Sequence, residues 1–159
     1  MTARPTVRPA RRLAAIAAAI VGLIACAGSG ETGLPADGLL PLGTWGGDSA
    51  GMIVGDTATH LHVGCTYGDV SGRIVIGADG RFDVPGSYLL RAYPVAVGPT
   101  VPARFVGRVA GRTAVVTVTV NDTTDRRVVV RGPVTVRLGD APVMGPCPIC
   151  RRPVITRRR

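Results

Sequence analysis

The sequence predicts an all-β fold, a single small antiparallel domain built from short strands. Apolar and polar residues alternate with a period of two over most of the region from 43 to 141, which is typical of strands with one buried face. Turn signals made of Gly, Asp and Asn separate these runs about every ten residues, the spacing of antiparallel sheets. The 22 glycines and 13 prolines also favour many turns over long helices.

The individual strands follow from this alternation. In the first of them His60 and His62 share one face, whereas Cys65 lies on the other. Asp79-Gly80 stands between two of the runs and predicts a tight hairpin turn. The predicted strands are 59–65, 73–76, 82–84, 87–93, 104–109, 113–120, 126–131 and 134–138. About seven to nine strands of this length fit either a closed meander barrel or a two-sheet sandwich, and both remain open.

The segment Gly43-Thr44-Trp45, which opens the domain, resembles the Gly-x-Trp start of avidin-like and lipocalin-like barrels, the calycins. This resemblance implies that Trp45 closes the base of a barrel beneath an arginine from a late strand. Arg137 is the candidate for that cation–π contact. The longer segments GTWGG, HVGC, DGRFDVPGSY and ARFVGRVAGRT resemble small secreted bacterial domains, a kinship that implies no particular activity.

The first 25 residues have the composition of a signal peptide. Four arginines and no acidic residue precede an apolar run from 13 to 25. That run is shorter than the roughly 20 residues needed to cross a bilayer, and it fits the apolar middle of a secretory signal.

The apolar run ends in Leu23-Ile24-Ala25-Cys26, which resembles the lipobox of bacterial lipoproteins. The resemblance implies diacylglycerol transfer to the Cys26 thiol, cleavage before Cys26 and a membrane anchor of several acyl chains. Because Ala27 follows the cysteine, the resemblance favours the outer membrane in a Gram-negative cell. The alternatives are an uncleaved signal anchor and an ordinary signal in which Cys26 is incidental.

Four segments result: the signal peptide 1–25, a lipidated cysteine with a flexible linker 26–42, the β domain 43–141, and a Cys-containing, Arg-rich tail 142–159. Of the 19 basic residues, all arginine, four lie in the first twelve positions and five in the last nine. The remaining ten balance the ten acidic residues. The net charge of +9 therefore belongs to the two ends, and nucleic acid is not an expected partner. The basic tail is either solvated or in contact with anionic lipid headgroups.

Three cysteines remain after lipidation of Cys26. In an oxidising exported location we expect a disulfide between Cys65 and Cys147. The Cys147-x-x-Cys150 spacing leaves two alternatives, a redox pair and part of a zinc site with a histidine.

His60 and His62 are the only histidines, and we expect two solvated side chains on an outer sheet face. The alternative is a metal site shared with Cys147 and Cys150. The chain has no lysine, which excludes Schiff-base chemistry, and no nucleophile stands in a triad motif. No catalytic residue or cofactor is therefore expected.

The sequence predicts a membrane-anchored envelope lipoprotein whose domain is a non-enzymatic binding module. Its expected partners are the membrane, through the N-terminal lipid, and either a small apolar ligand in a barrel mouth or an envelope protein. The alternatives are a structural envelope protein that binds another protein and a metal or redox protein that uses the Cys and His residues.

Overall fold

The structure, a computed structural model, describes residues 33–92 and 98–147. The predicted signal peptide, Cys26, Cys150 and the arginine-rich end of the tail lie outside the described residues. The described residues form eight strands: β1 (Gly43–Gly47), β2 (Ala50–Val54), β3 (Ala58–Val63), β4 (Thr66–Ser71), β5 (Arg81–Leu89), β6 (Val101–Ala110), β7 (Thr113–Asp122) and β8 (Arg127–Leu138).

These eight strands form one closed antiparallel barrel. Each strand pairs with the next in the chain, and β8 returns to pair with β1 through Trp45–Leu138 and Gly46–Arg137. Closure removes the unpaired strand edges that an open sheet would leave. The all-β prediction is confirmed, the barrel is selected over the sandwich, and the architecture is consistent with a calycin-like fold.

The predicted strand 73–76 is wrong. These residues lie in the loop between β4 and β5, where the apolar side chains of Ile74 and Ile76 are buried. The turn at Asp79-Gly80 does form, with Gly80 at a positive φ of 79°, but it leads from this loop into β5. The side chains of Ile74 and Ile76 therefore pack against the barrel, although these residues do not form one of its strands.

Other strand boundaries also differ from those predicted. Residues 126–131 and 134–138 belong to one strand, β8, because Gly132-Pro133 is accommodated by an irregularity opposite Val116–Val118. Likewise, 82–84 and the start of 87–93 belong to the single strand β5. β1, β2 and β4 were not among the predicted strands.

Side chains fill the barrel interior. Four aromatic residues, Trp45, Phe82, Tyr88 and Phe105, contribute to it, and each is at most 4% exposed. The Thr66 hydroxyl donates to the Val63 carbonyl at 2.9 Å, so the Tyr88 hydroxyl donates to Thr66 Oγ1 at 2.8 Å. Burial raises the pKa of Tyr88, which keeps this buried donor protonated.

The base of the barrel is closed by the segment before β1 and by the loop between β4 and β5. Leu40 is fully buried, and its backbone N–H donates to the Ile74 carbonyl at 2.9 Å. Trp45 is also fully buried, and its indole N–H donates to the Pro41 carbonyl at 3.1 Å. The residues just before β1 therefore pack as part of the domain.

A C-terminal strap, residues 140–147, crosses the outer face of β1 and β2. The Val143 N–H donates to the Gly47 carbonyl at 3.0 Å, and the Val143 carbonyl accepts from the Ser49 N–H at 2.8 Å. The strap can lie this close because two outward positions are glycine. A Cβ on Gly46 would overlap the backbone of the strap, and a Cβ on Gly51 would lie 2.7 Å from a Pro142 side-chain atom.

The strap ends at a disulfide. Cys147 is bonded to Cys65, which lies in the turn between β3 and β4, with a Cα–Cα distance of 5.5 Å. This confirms the predicted bridge. It holds the C-terminal segment against the end of the barrel opposite the closed base.

Candidate functional site

The two histidines lie on the outer wall of the barrel, in neighbouring cross-strand rows. In β3 the side chain of Leu61 points into the core, so His60 and His62 point outward. The register pairs His60 with Asp69 of β4 and His62 with Tyr67 of β4. On the other side of β3, Ile53 of β2 is paired with His60.

These side chains form a contact cluster. His60 Nδ1 lies 2.6 Å from Asp69 Oδ1. The ring centroids of His60 and His62 are 4.7 Å apart, and each lies 5.2 Å from the centroid of the Tyr67 ring. Burial and the neighbouring His60 lower the pKa of His62, with a smaller opposing effect from Asp69. This shift favours the neutral form of the His62 imidazole.

A groove of about 380 Å³ lies beside this cluster. Its floor is the outer face of β1–β3, and the strap forms one wall. Ile53 is 58% exposed and Met144 is 41% exposed, so both present apolar surface to the groove. The lining residues are Thr44, Gly51, Met52, Ile53, His60, His62, Pro142 and Met144.

The disulfide excludes Cys147 from the metal and redox roles that the sequence left open for it. Cys65 and Cys147 are bonded to each other, so neither supplies the thiolate that a zinc site needs. Cys150 lies outside the described residues. Within residues 33–92 and 98–147, no group of three or more His, Cys, Asp or Glu side chains is arranged to hold a metal ion.

Trp45 and Arg137 lie on opposite faces of the sheet. The indole is buried inside the barrel, whereas Arg137 is exposed on the outer wall and is paired with Gly46. Because side chains alternate between the two faces of a strand, Leu138, the register partner of Trp45, takes the inward position beside the indole. The structure therefore closes the base with Trp45, Leu40 and Leu138, without Arg137.

Sequence reasoning missed several residues of this site. Asp69 and Tyr67 belong to β4, whose inward residues Gly68 and Val70 give little apolar signal. The alternation of Tyr67, Asp69 and Ser71 with these two residues is the pattern that indicates the strand. Met144 lies in a tail with no periodicity, and nothing in the local sequence places it beside the histidines.

Among the described residues, none belongs to a helix long and apolar enough to cross a membrane. Comparison of the chain with protein-family models, with curated proteins and with solved structures finds no match.

Proposed function

We propose that this protein is an exported, membrane-anchored lipoprotein whose barrel is a non-enzymatic binding module, and that the outer-wall groove is its binding surface. The observation that carries the proposal is the position of the groove. Polar, hydrogen-bonded groups stand beside an apolar depression, the usual composition of a small-ligand site. That combination occurs on the outside of the barrel.

The packing of the interior supports an outer-wall site. Inward side chains from all eight strands join one buried cluster, which includes Trp45, Leu61, Tyr88 and Val118, each at most 1% exposed. A calycin that carries a ligand inside needs an unfilled lumen. Core side chains fill the lumen here, so we place the binding site on the outer surface of the barrel.

The disulfide supports the exported location. Structural disulfides persist in oxidising compartments and are rare in the reducing cytosol. A Cys65–Cys147 bridge therefore agrees with the signal peptide and the lipobox-like segment that ends at Cys26.

We expect the fluorescent dye 1-anilinonaphthalene-8-sulfonate to bind the folded protein at the groove. Ile53→Ser should weaken dye binding severalfold, because it removes the most exposed apolar side chain of the groove. The matched control is Val128→Ser, which changes an outward valine of β8 that is 66% exposed. Fluorescence titration measures both. Equal binding by the unmodified protein and the Ile53→Ser variant would contradict the groove assignment.

A different observation supports a second candidate function. Four outward valines give the β6–β8 wall an apolar surface, which favours a structural envelope protein that binds another protein through this wall. They are Val106, Val115, Val128 and Val130. Loss of dye binding in Val128→Ser, with binding retained in Ile53→Ser, would favour this function over the first.

A separate experiment tests the lipid anchor proposed at Cys26. We expect Cys26→Ser to move the protein from the membrane fraction to the soluble fraction, because serine cannot receive the thioether-linked lipid. The amount of protein in each fraction after ultracentrifugation measures the effect, and Cys150→Ser is the matched cysteine control. A Cys26→Ser protein that stays in the membrane fraction would refute the anchor and leave the groove untouched.

A further inference from the structure

We infer that His60, His62 and Met144 bind a monovalent copper ion, Cu(I), at the histidine end of the groove. This deepens the proposed function, on which it rests, by naming the class of ligand that the same surface takes. The three side chains line one depression and supply two imidazole nitrogens and one thioether sulfur.

The two imidazoles are already close to the spacing that a shared ion requires. Metal–nitrogen bonds of about 2.0 Å place the centroids of two rings on one ion roughly 5 Å apart. In the structure the His60 and His62 centroids are 4.7 Å apart. The ring spacing is therefore compatible with a shared ion, which requires that one nitrogen of each ring turn toward the same point.

Asp69 orients the first of these ligands. Its carboxylate accepts from His60 Nδ1–H at 2.6 Å, which leaves the lone pair of His60 on Nε2. Metal-binding histidines almost always donate their second ring N–H to a carboxylate, a carbonyl or water, and this fixes the tautomer and the ring orientation. A solvated surface histidine has no need of such a partner.

The strap supplies the third donor. Val143 is held by two backbone hydrogen bonds to the turn between β1 and β2, and Cys147 is held by the disulfide. Met144 therefore lies between two fixed points of the chain. Its backbone is ordered before any ion binds, so binding does not have to order it.

The donor set favours Cu(I) over Zn²⁺. Structural zinc sites use four ligands drawn from thiolate, imidazole and carboxylate, and no such group of three or more is found in the described part of the chain. A thioether is a soft ligand that selects Cu(I).

The test uses the full-length lipoprotein in detergent with Cys150→Ser, so that the Cys150 thiol does not bind copper. Cu(I) is titrated anaerobically in competition with bicinchoninate, with ascorbate as the reductant because it spares the disulfide. We expect one equivalent to bind. Met144→Leu and His62→Gln should each weaken binding by about 100-fold or more through loss of a ligand, and Asp69→Asn by about tenfold through loss of orientation.

The control is Val128→Ser, at an exposed position on β8 that does not line the groove; its affinity for Cu(I) should be unchanged. X-ray absorption should show one sulfur neighbour of copper, absent in Met144→Leu. Absence of copper binding, or equal affinity in Met144→Leu and the parent protein, would overturn the inference, as would tighter binding of Zn²⁺ than of Cu(I). Ile53→Ser should still bind Cu(I), so failure of the dye experiment and failure of the copper experiment are distinguishable.

Discussion

Replacing both bridged cysteines, as Cys65→Ser with Cys147→Ser, should lower the free energy of unfolding by about 4 kcal/mol. The two residues are 82 positions apart in the sequence, and a cross-link that closes so long a loop removes much of the entropy of the unfolded chain. The described domain is of a size whose total stability is usually about 5–15 kcal/mol. We therefore expect the variant to be marginally folded at 37 °C.

Urea unfolding followed by tryptophan fluorescence measures this effect, because Trp45 is the only tryptophan and is fully buried. The matched control is Cys150→Ser, which leaves the bridge intact and should unfold at the same urea concentration as the parent protein. A double variant as stable as the control would contradict the assignment of the bridge as a main stabilising feature.

The same double variant should also bind Cu(I) more weakly. Without the bridge the strap keeps the backbone hydrogen bonds of Asp140 and Val143, which both precede Met144, but no covalent bond fixes the chain after it. The position of Met144 beside the histidines is therefore held less firmly. The Cu(I) affinity of the double variant is measured in buffer in which this variant is still folded. A weaker affinity would then show that the disulfide also maintains the geometry of the groove.

Replacing Trp45 by alanine should lower the free energy of unfolding by about 3–5 kcal/mol, the range for removing a large aromatic side chain from a packed core. The indole is completely buried at the base of the barrel and packs among Leu40, Met52 and Val136 in the same core cluster. Its removal also deprives the Pro41 carbonyl of its indole donor.

Trp45→Phe should destabilise the protein less, since it keeps most of the apolar volume and loses only the hydrogen bond and part of the ring. Thermal unfolding measured by far-ultraviolet circular dichroism compares the two variants. Val128→Ala, at an exposed position on β8, should change the unfolding free energy by about 0.5 kcal/mol or less. If Trp45→Ala were no more destabilising than this control, the indole would not close the base of the barrel.

Much of the fold could be read from local patterns. The alternation in β6 and β7 places Phe105, Val109 and Val118 inward and Arg104 outward, as the structure shows. The sequence predicts these faces because side chains alternate with a period of two along any strand, regardless of which strands pair with it. The pairing of Cys65 with Cys147 was favoured because an exported protein, as the sequence predicts, usually forms structural disulfides.

The errors came from residues whose burial is decided by distant parts of the chain. Ile74 and Ile76 have the apolar character of a strand, but they are buried at the base of the barrel. Their backbone bonds to residues 38–40 through an isolated bridge and does not pair with a barrel strand. β4 lacks a strong apolar face because its inward Gly68 leaves space for the Tyr88 and Phe105 rings. Neither fact is present in the local sequence.

The sequence by itself determined the all-β class, the inward and outward faces of β6 and β7, and the outward position of His60 and His62. It also favoured the disulfide over the redox and zinc alternatives. Only the tertiary structure decided that the sheet closes into a barrel, that Asp69 and Tyr67 stand beside the histidines, and that Met144 faces them from the strap. The physical reason is the sequence separation of the residues that decide each feature. Alternation is a property of a strand's own backbone, whereas register, closure and the path of the strap depend on contacts between residues far apart in the chain.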